Sequence, residues 1–71
     1  MQGNKHIVTT LNKVLTIEIA RPEKKNAITQ DMYQAMADAL RAADADKTVR
    51  AVLITGQPGI FTSGNDLEDF M

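Results

Sequence analysis

The chain has 71 residues, a formal net charge of −1 and no cysteine. That leaves room for one small domain and excludes disulfide staples and thiolate metal sites. The near-zero charge offers no electrostatic footprint for nucleic acid or an acidic membrane surface, and no apolar run is long enough to cross a bilayer.

Met1-Gln2-Gly3-Asn4-Lys5 lacks the apolar core of a secretory signal. With no cysteine, a cytoplasmic setting is expected. A chain this short buries only about 60% of its unfolded surface. Its only aromatic residues are Tyr33, Phe61 and Phe70. The sequence stops at Met71, where a new helix is beginning. Residues 1–71 are therefore expected to be the N-terminal part of a longer domain, or to need other chains to complete a core.

His6 to Thr10 has a β-rich, alternating pattern. Ile7, Thr9 and Leu11 share one side; His6, Val8 and Thr10 share the other. Asn12-Lys13 suits a tight turn. Val14 to Ala20 is a clearer strand, with Leu15, Ile17 and Ile19 on one face and Thr16 and Glu18 on the opposite one. The two runs predict an antiparallel hairpin. Pro22 then breaks the strand, because it cannot donate to a ladder and biases Arg21 towards extended geometry. The segment that follows is polar, with Lys24 and Lys25 adjacent. A lysine pair in a loop is ordinarily solvated and by itself is a weak phosphate signal.

Thr29 suits the N-cap of a helix from Gln30 to about Asp46. Met32, Met36, Leu40 and Ala43 recur at spacings of four and three and predict its apolar stripe. Asp31 suits the positive end of the helix dipole. At ~1.5 Å per residue this helix spans roughly 25 Å. Arg50 to Thr55 reads as a strand. Ala51, Val52, Leu53 and Ile54 are apolar without alternation, which predicts a strand buried on both faces. Gly56-Gln57-Pro58-Gly59 is a turn signal.

Ile60 and Phe61 restart a short extended piece that ends in a corner, Thr62-Ser63-Gly64-Asn65-Asp66. Asn65 and Asp66 both suit a helix cap, and Leu67 and Phe70 share one side of a first turn. A corner of this kind leaves backbone N–H groups without helical partners, and such donors hold anions or a developing oxyanion. An ordinary strand-to-helix connection gives the same pattern. The order strand, helix, buried strand implies a parallel βαβ crossover, whose ligands sit beyond the carboxyl ends of the strands. Both the 21–28 loop and the 62–66 corner occupy such ends and are expected to lie side by side.

Motifs for nucleotide binding, zinc proteolysis and metal ligation are absent. His6 is expected to be an exposed residue near the chain end. Ser63 has no nearby histidine to activate it as a nucleophile. Asp66 and Asp69 are explained by helix-dipole complementarity.

Three segments together carry a family resemblance. Arg21-Pro22-Glu23-Lys24-Lys25-Asn26-Ala27-Ile28 resembles the "RP…NAL" segment of the enoyl-CoA hydratase/isomerase, or crotonase, family. Val49 to Gly56 resembles its "VRAVVLTG" strand, and Phe61 to Leu67 resembles its "F(S/A)(A/S)G(A/N)D(I/L)" corner. Order and spacing also fit, and the resemblance covers the chain from about Ile7 onward.

It implies an α/β fold of the crotonase-like (ClpP/crotonase) ββα spiral, of which this chain holds the N-terminal part: β-hairpin, helix, buried strand, corner and the start of a helix. It further implies acyl-CoA chemistry, isomerisation of a 3-enoyl-CoA or hydration of a 2-enoyl-CoA, through an enolate held by two backbone N–H groups. The wording of Gly64-Asn65-Asp66-Leu67 leans towards isomerase-like members. By the resemblance, the Asn65 N–H is one oxyanion donor, a role that tolerates Asn where Ala is common. Losing one such donor typically costs about 3 kcal/mol in the transition state.

The same resemblance implies that the substrate lies along Lys24, Lys25, Ala27 and Ile28 and along Ser63, Gly64, Asn65, Asp66 and Leu67, with Lys24 or Lys25 meeting a coenzyme A phosphate. Coenzyme A enters as the substrate thioester; no separate cofactor and no metal are implied. Acyl-CoA is the implied partner, and the full-length assembly is a homotrimer or hexamer. The family's second donor and its carboxylates lie in downstream segments, so the chain is expected to be inactive alone. The other reading is a non-catalytic CoA-binding or assembly fragment.

Overall fold

The computed structural model describes residues 4–71. Strand β1 (Ile7–Asn12) pairs antiparallel with β2 (Val14–Ile19), and β2 pairs parallel with β3 (Ala51–Thr55), giving the order β1-β2-β3. Helix α1 (Gln30–Ala45) makes the crossover from β2 to β3, and a single turn, α2 (Leu67–Phe70), follows the corner.

The hairpin register places Ile7 opposite Ile19 and Asn12 opposite Val14, so Lys13 alone turns the chain, in the left-handed region at φ 64°. Leu15, Ile17 and Ile19 point inward from β2 as the alternation predicts. With Ile7, Ile28, Met32 and Met36 they form the core, and Ala35, Ala39, Ala43 and Val49 pack around it. Thr29 caps α1, its hydroxyl accepting from the Met32 N–H at 3.1 Å, while the Thr29 N–H meets the Met32 sulfur at 3.4 Å. These bonds satisfy donors that a helix start otherwise leaves open.

Between β3 and the corner, Gln57 and Ile60 exchange backbone hydrogen bonds of 2.9 and 3.1 Å around Pro58-Gly59. Gly59 has φ 87°, the conformation a turn with Pro at its second position asks of its third. At Gly56 a β-carbon would lie 2.5 Å from the Phe61 Cα, so only glycine lets the returning strand pass.

Three expectations are corrected. Leu40 is 40% exposed and leaves the core to Ala39. An α-helix advances about 100° per residue, so two steps of four carry Leu40 about 80° round from Met32, whereas Ala39 and Ala43 stay within about 20° of it. His6 is half-buried. Its ring Nδ1 lies 3.1 Å from the Ala20 carbonyl and Nε2 lies 3.6 Å from the Glu23 carboxylate, because the hairpin brings Ala20 back beside it.

Strand β3, expected to be buried on both faces, is the open edge of the sheet, with Val52, Leu53 and Ile54 exposed by 43, 52 and 41%. Helix α1 lies against β1 and β2. Among the described residues no strand pairs with the free edge of β3.

Candidate functional site

The loop after β2 is built around Asn26. Arg21 leads into a 3₁₀ turn, Pro22–Lys24, with proline at a position that needs no N–H. Lys25 and Asn26 then adopt φ 52° and 57°, a conformation asparagine tolerates better than most residues. Asn26 is fully buried, at 0% exposure, and its polar atoms are used. Its side-chain oxygen accepts from the Arg21 N–H at 2.7 Å. Its amide donates to the Ile19 carbonyl at 2.9 Å and to the Phe61 carbonyl at 3.0 Å. The end of β2, the loop and the approach to the corner are thus held by one side chain. A buried amide with satisfied partners stabilises, whereas an unsatisfied one costs free energy.

The corner is tied to the same loop. The Thr62 hydroxyl donates to the Asn26 carbonyl at 2.6 Å and accepts from the Gly64 N–H at 3.0 Å. Gly64 has φ 105°, which side-chain-bearing residues rarely adopt. The Ser63 N–H reaches the Lys25 carbonyl at 3.2 Å. Ile28 and Asn65 then form a parallel bridge: the Ile28 N–H donates to the Gly64 carbonyl at 2.8 Å, and the Asp66 N–H donates to the Ile28 carbonyl at 2.9 Å.

This bridge sets the direction of the Asn65 N–H. In a trans peptide the carbonyl and the following N–H point in opposite directions. The Gly64 carbonyl points at Ile28, so the Asn65 N–H points away from it. Among the described residues that N–H has no hydrogen-bond partner. A rigidly held, unpaired donor of this kind is the element an oxyanion site requires.

Charge and the short helix brace the far side. The Arg21 guanidinium binds the Asp66 carboxylate at 2.8 Å and the Ala27 carbonyl at 3.2 Å. The hydrogen bond from Arg21 holds the Asp66 carboxyl below its ordinary value, against desolvation, which acts in the opposite direction. Asp66 also caps α2 through the Asp69 N–H at 3.2 Å. Asp69 accepts from the Gln30 N–H at the start of α1 at 2.6 Å, and the Gln30 amide returns to the Asp69 carbonyl at 2.8 Å. The Tyr33 hydroxyl donates to the Asn65 side-chain oxygen at 2.7 Å, and its ring meets Phe70 edge-on at 6.1 Å.

The residues expected to line a site are therefore brought together unevenly. Ala27, Ile28, Ser63, Gly64, Asn65 and Asp66 form one continuous hydrogen-bonded unit. Lys24 and Lys25 lie on its rim with exposed side chains, and Leu67 projects outward. Among the described residues no ion pair engages either lysine, and no group of His, Cys, Asp and Glu is placed to hold a metal. The parts that residue-type reasoning missed are Asn26, Arg21 and Tyr33. For Asn26 a signal existed: an asparagine after a 3₁₀ turn suits a left-handed position, and its side chain then faces its own backbone.

Comparison with known proteins agrees with this architecture. The sequence model for enoyl-CoA hydratase/isomerase matches residues 9–71. Human "Enoyl-CoA delta isomerase 2" is 42% identical over 64 residues, covering 90% of this chain and 16% of that protein. "Probable enoyl-CoA hydratase echA6" of Mycobacterium bovis is 40% identical over 60 residues, covering 84% of this chain and 24% of its own length. The crystal structure of an enoyl-CoA hydratase/isomerase from Pseudoalteromonas atlantica T6c superposes with a TM-score of 0.90 at 46% identity, over 94% of this chain and 27% of that one. The chain thus spans less than a third of the length of each of these relatives. With the sheet, crossover and corner all shared, the chain belongs to the enoyl-CoA hydratase/isomerase, or crotonase, family.

Proposed function

We propose that this chain is the N-terminal portion of an acyl-CoA-processing enzyme and supplies one wall of its active site. In this reading the Asn65 N–H is one of two backbone donors that hold the thioester oxygen as an enolate forms. The observation that carries it is the bridge between Ile28 and Asn65, which turns an unpaired N–H away from the loop and fixes it there. A donor fixed before the reaction needs no reorganisation as charge develops on the oxygen, which is why preorganised donors lower barriers.

The substrate runs along Lys24, Lys25, Ala27 and Ile28 on one side and Ser63 to Leu67 on the other. The exposed ammonium group of Lys24 or Lys25 meets a coenzyme A phosphate. The reaction is 3-enoyl-CoA isomerisation or 2-enoyl-CoA hydration; relatives named for each reaction match this chain at similar identity. No metal or separate cofactor takes part, and the full-length protein works as a homotrimer or hexamer in the cytoplasm. Among the described residues no helix is long and apolar enough to cross a membrane.

The decisive experiment is an NMR titration with acetoacetyl-CoA, a thioester whose enolate places negative charge on the oxygen. The Asn65 amide is expected to shift downfield in proportion to occupancy, with smaller changes at Ile28 and Gly64. An unmoved Asn65 amide at saturation would remove the oxyanion assignment. Incubated with crotonyl-CoA, the 71-residue chain is expected to show no turnover. Turnover by the isolated chain would disprove the claim that it holds one wall only.

A further inference from the structure

The Asn65 side chain is held apart from its backbone role, and the residue that holds it lies on another element. The hydroxyl of Tyr33, in the first turn of α1, donates to the Asn65 side-chain oxygen at 2.7 Å. The Tyr33 ring is itself placed. It stands edge-on to Phe70 at 6.1 Å and 84°, and the Tyr33 N–H bonds the carbonyl of the capping residue Thr29 at 3.1 Å. The Gln30–Asp69 pair of bonds fixes the distance between the start of α1 and α2. So the hydroxyl meets Asn65 from a braced position.

The bridge with Ile28 restrains the peptide on the N-terminal side of Asn65 through the Gly64 carbonyl, and the one on its C-terminal side through the Asp66 N–H. It leaves the Asn65 side chain free to rotate. Tyr33 removes that freedom and ties the third arm of the residue.

We infer that Tyr33 is a positioning residue for the oxyanion donor, acting through the side chain of Asn65; this rests on the Asn65 reading above. Tyr33 touches no reacting atom in this role. The bridge sets the direction of the N–H, and Tyr33 narrows the residual spread about that direction, so the N–H spends more of its time aimed where the thioester oxygen sits. An exposed hydrogen bond contributes little by itself in water. It contributes more once a bound acyl group covers the corner and lowers the local dielectric. The effect therefore falls on ligands that carry the oxyanion, and leaves coenzyme A, which lacks the acyl group, untouched.

The test is a double-mutant cycle on the 71-residue chain, with Tyr33→Phe, Asn65→Ala and the pair, each titrated with acetoacetyl-CoA and with free coenzyme A. Tyr33→Phe keeps the ring against Phe70 and removes only the hydroxyl. Asn65→Ala keeps the backbone donor and removes the acceptor, so the same link is cut from its other end. Each single change is expected to weaken acetoacetyl-CoA binding about fivefold, with coenzyme A binding unchanged in Tyr33→Phe and no further loss of acetoacetyl-CoA binding in the double variant. Equal weakening of both ligands, or independent effects of the two substitutions, would overturn the positioning role and leave the Asn65 assignment standing. Failure of the unsubstituted chain to bind acetoacetyl-CoA more tightly than coenzyme A would instead overturn the Asn65 assignment and this inference with it.

Discussion

At the scale of single residues, the corner depends on Asn26 more than on any residue that would contact substrate. Its side chain connects Arg21, Ile19 and Phe61, and its carbonyl receives the Thr62 hydroxyl. Asn26→Ala strands the Arg21 N–H and the Ile19 and Phe61 carbonyls, at a buried or half-buried place, and puts alanine at a positive φ. It is expected to lower unfolding free energy by about 3 kcal/mol or more, read as a shift in the urea midpoint without change in the slope. Asn26 was legible in the sequence as part of the "NAL" resemblance, but not as a buried amide. Nothing in its type says it will be enclosed, since asparagine is usually exposed. The enclosure follows from Phe61 and Thr62, which arrive from a distant part of the chain. The backbone role proposed for Asn65 rests, in the sequence, on the resemblance, because a main-chain donor leaves no trace in residue type.

At the scale of elements, periodicity located β1, β2 and α1, since the inward residues of β2 and α1 follow their periods closely; β3 was legible as an unbroken apolar run and α2 by its caps, while the 3₁₀ turn Pro22–Lys24 read only as a polar loop. Pattern reading failed at Leu40, where a run of steps of four drifts off the buried face, and at β3. Four consecutive apolar residues state what β3 needs, namely cover on two faces, and do not state whether this chain provides it. Here it does not: Val52, Leu53 and Ile54 stand exposed on an open edge. An uncharged, apolar edge strand invites pairing with other chains. The isolated chain is therefore expected to associate with rising concentration in sedimentation velocity. Leu53→Lys is expected to suppress that association while leaving far-ultraviolet circular dichroism unchanged. Association of equal strength in the lysine variant would place the contact elsewhere.

At the scale of the whole molecule, the described chain is a slab of 37 × 25 × 16 Å, one sheet with one helical layer, so stability is thin and the acidic groups weigh on it. The Arg21 hydrogen bond depresses the Asp66 pKa, and the Thr48 hydroxyl and N–H depress that of Asp46. A carboxyl depressed in the folded state stabilises above its unfolded-state pKa and loses that contribution as pH falls through the folded-state value. Stability is thus expected to be flat near neutrality and to fall below about pH 4. In Asp66→Asn, which cannot titrate there, the fall is expected to be shallower, with Asp46 supplying what remains; parallel acid-unfolding curves for the two chains would contradict this.

The bridge between Ile28 and Asn65 has a temporal consequence as well. It joins segments separated by all of α1 and β3, so its two bonds form only after the crossover has folded back. The donor is therefore not a property of the corner sequence. It comes into being with the closure of the loop and vanishes whenever that closure opens. A chain caught half-assembled has the residues of the corner and no aimed donor.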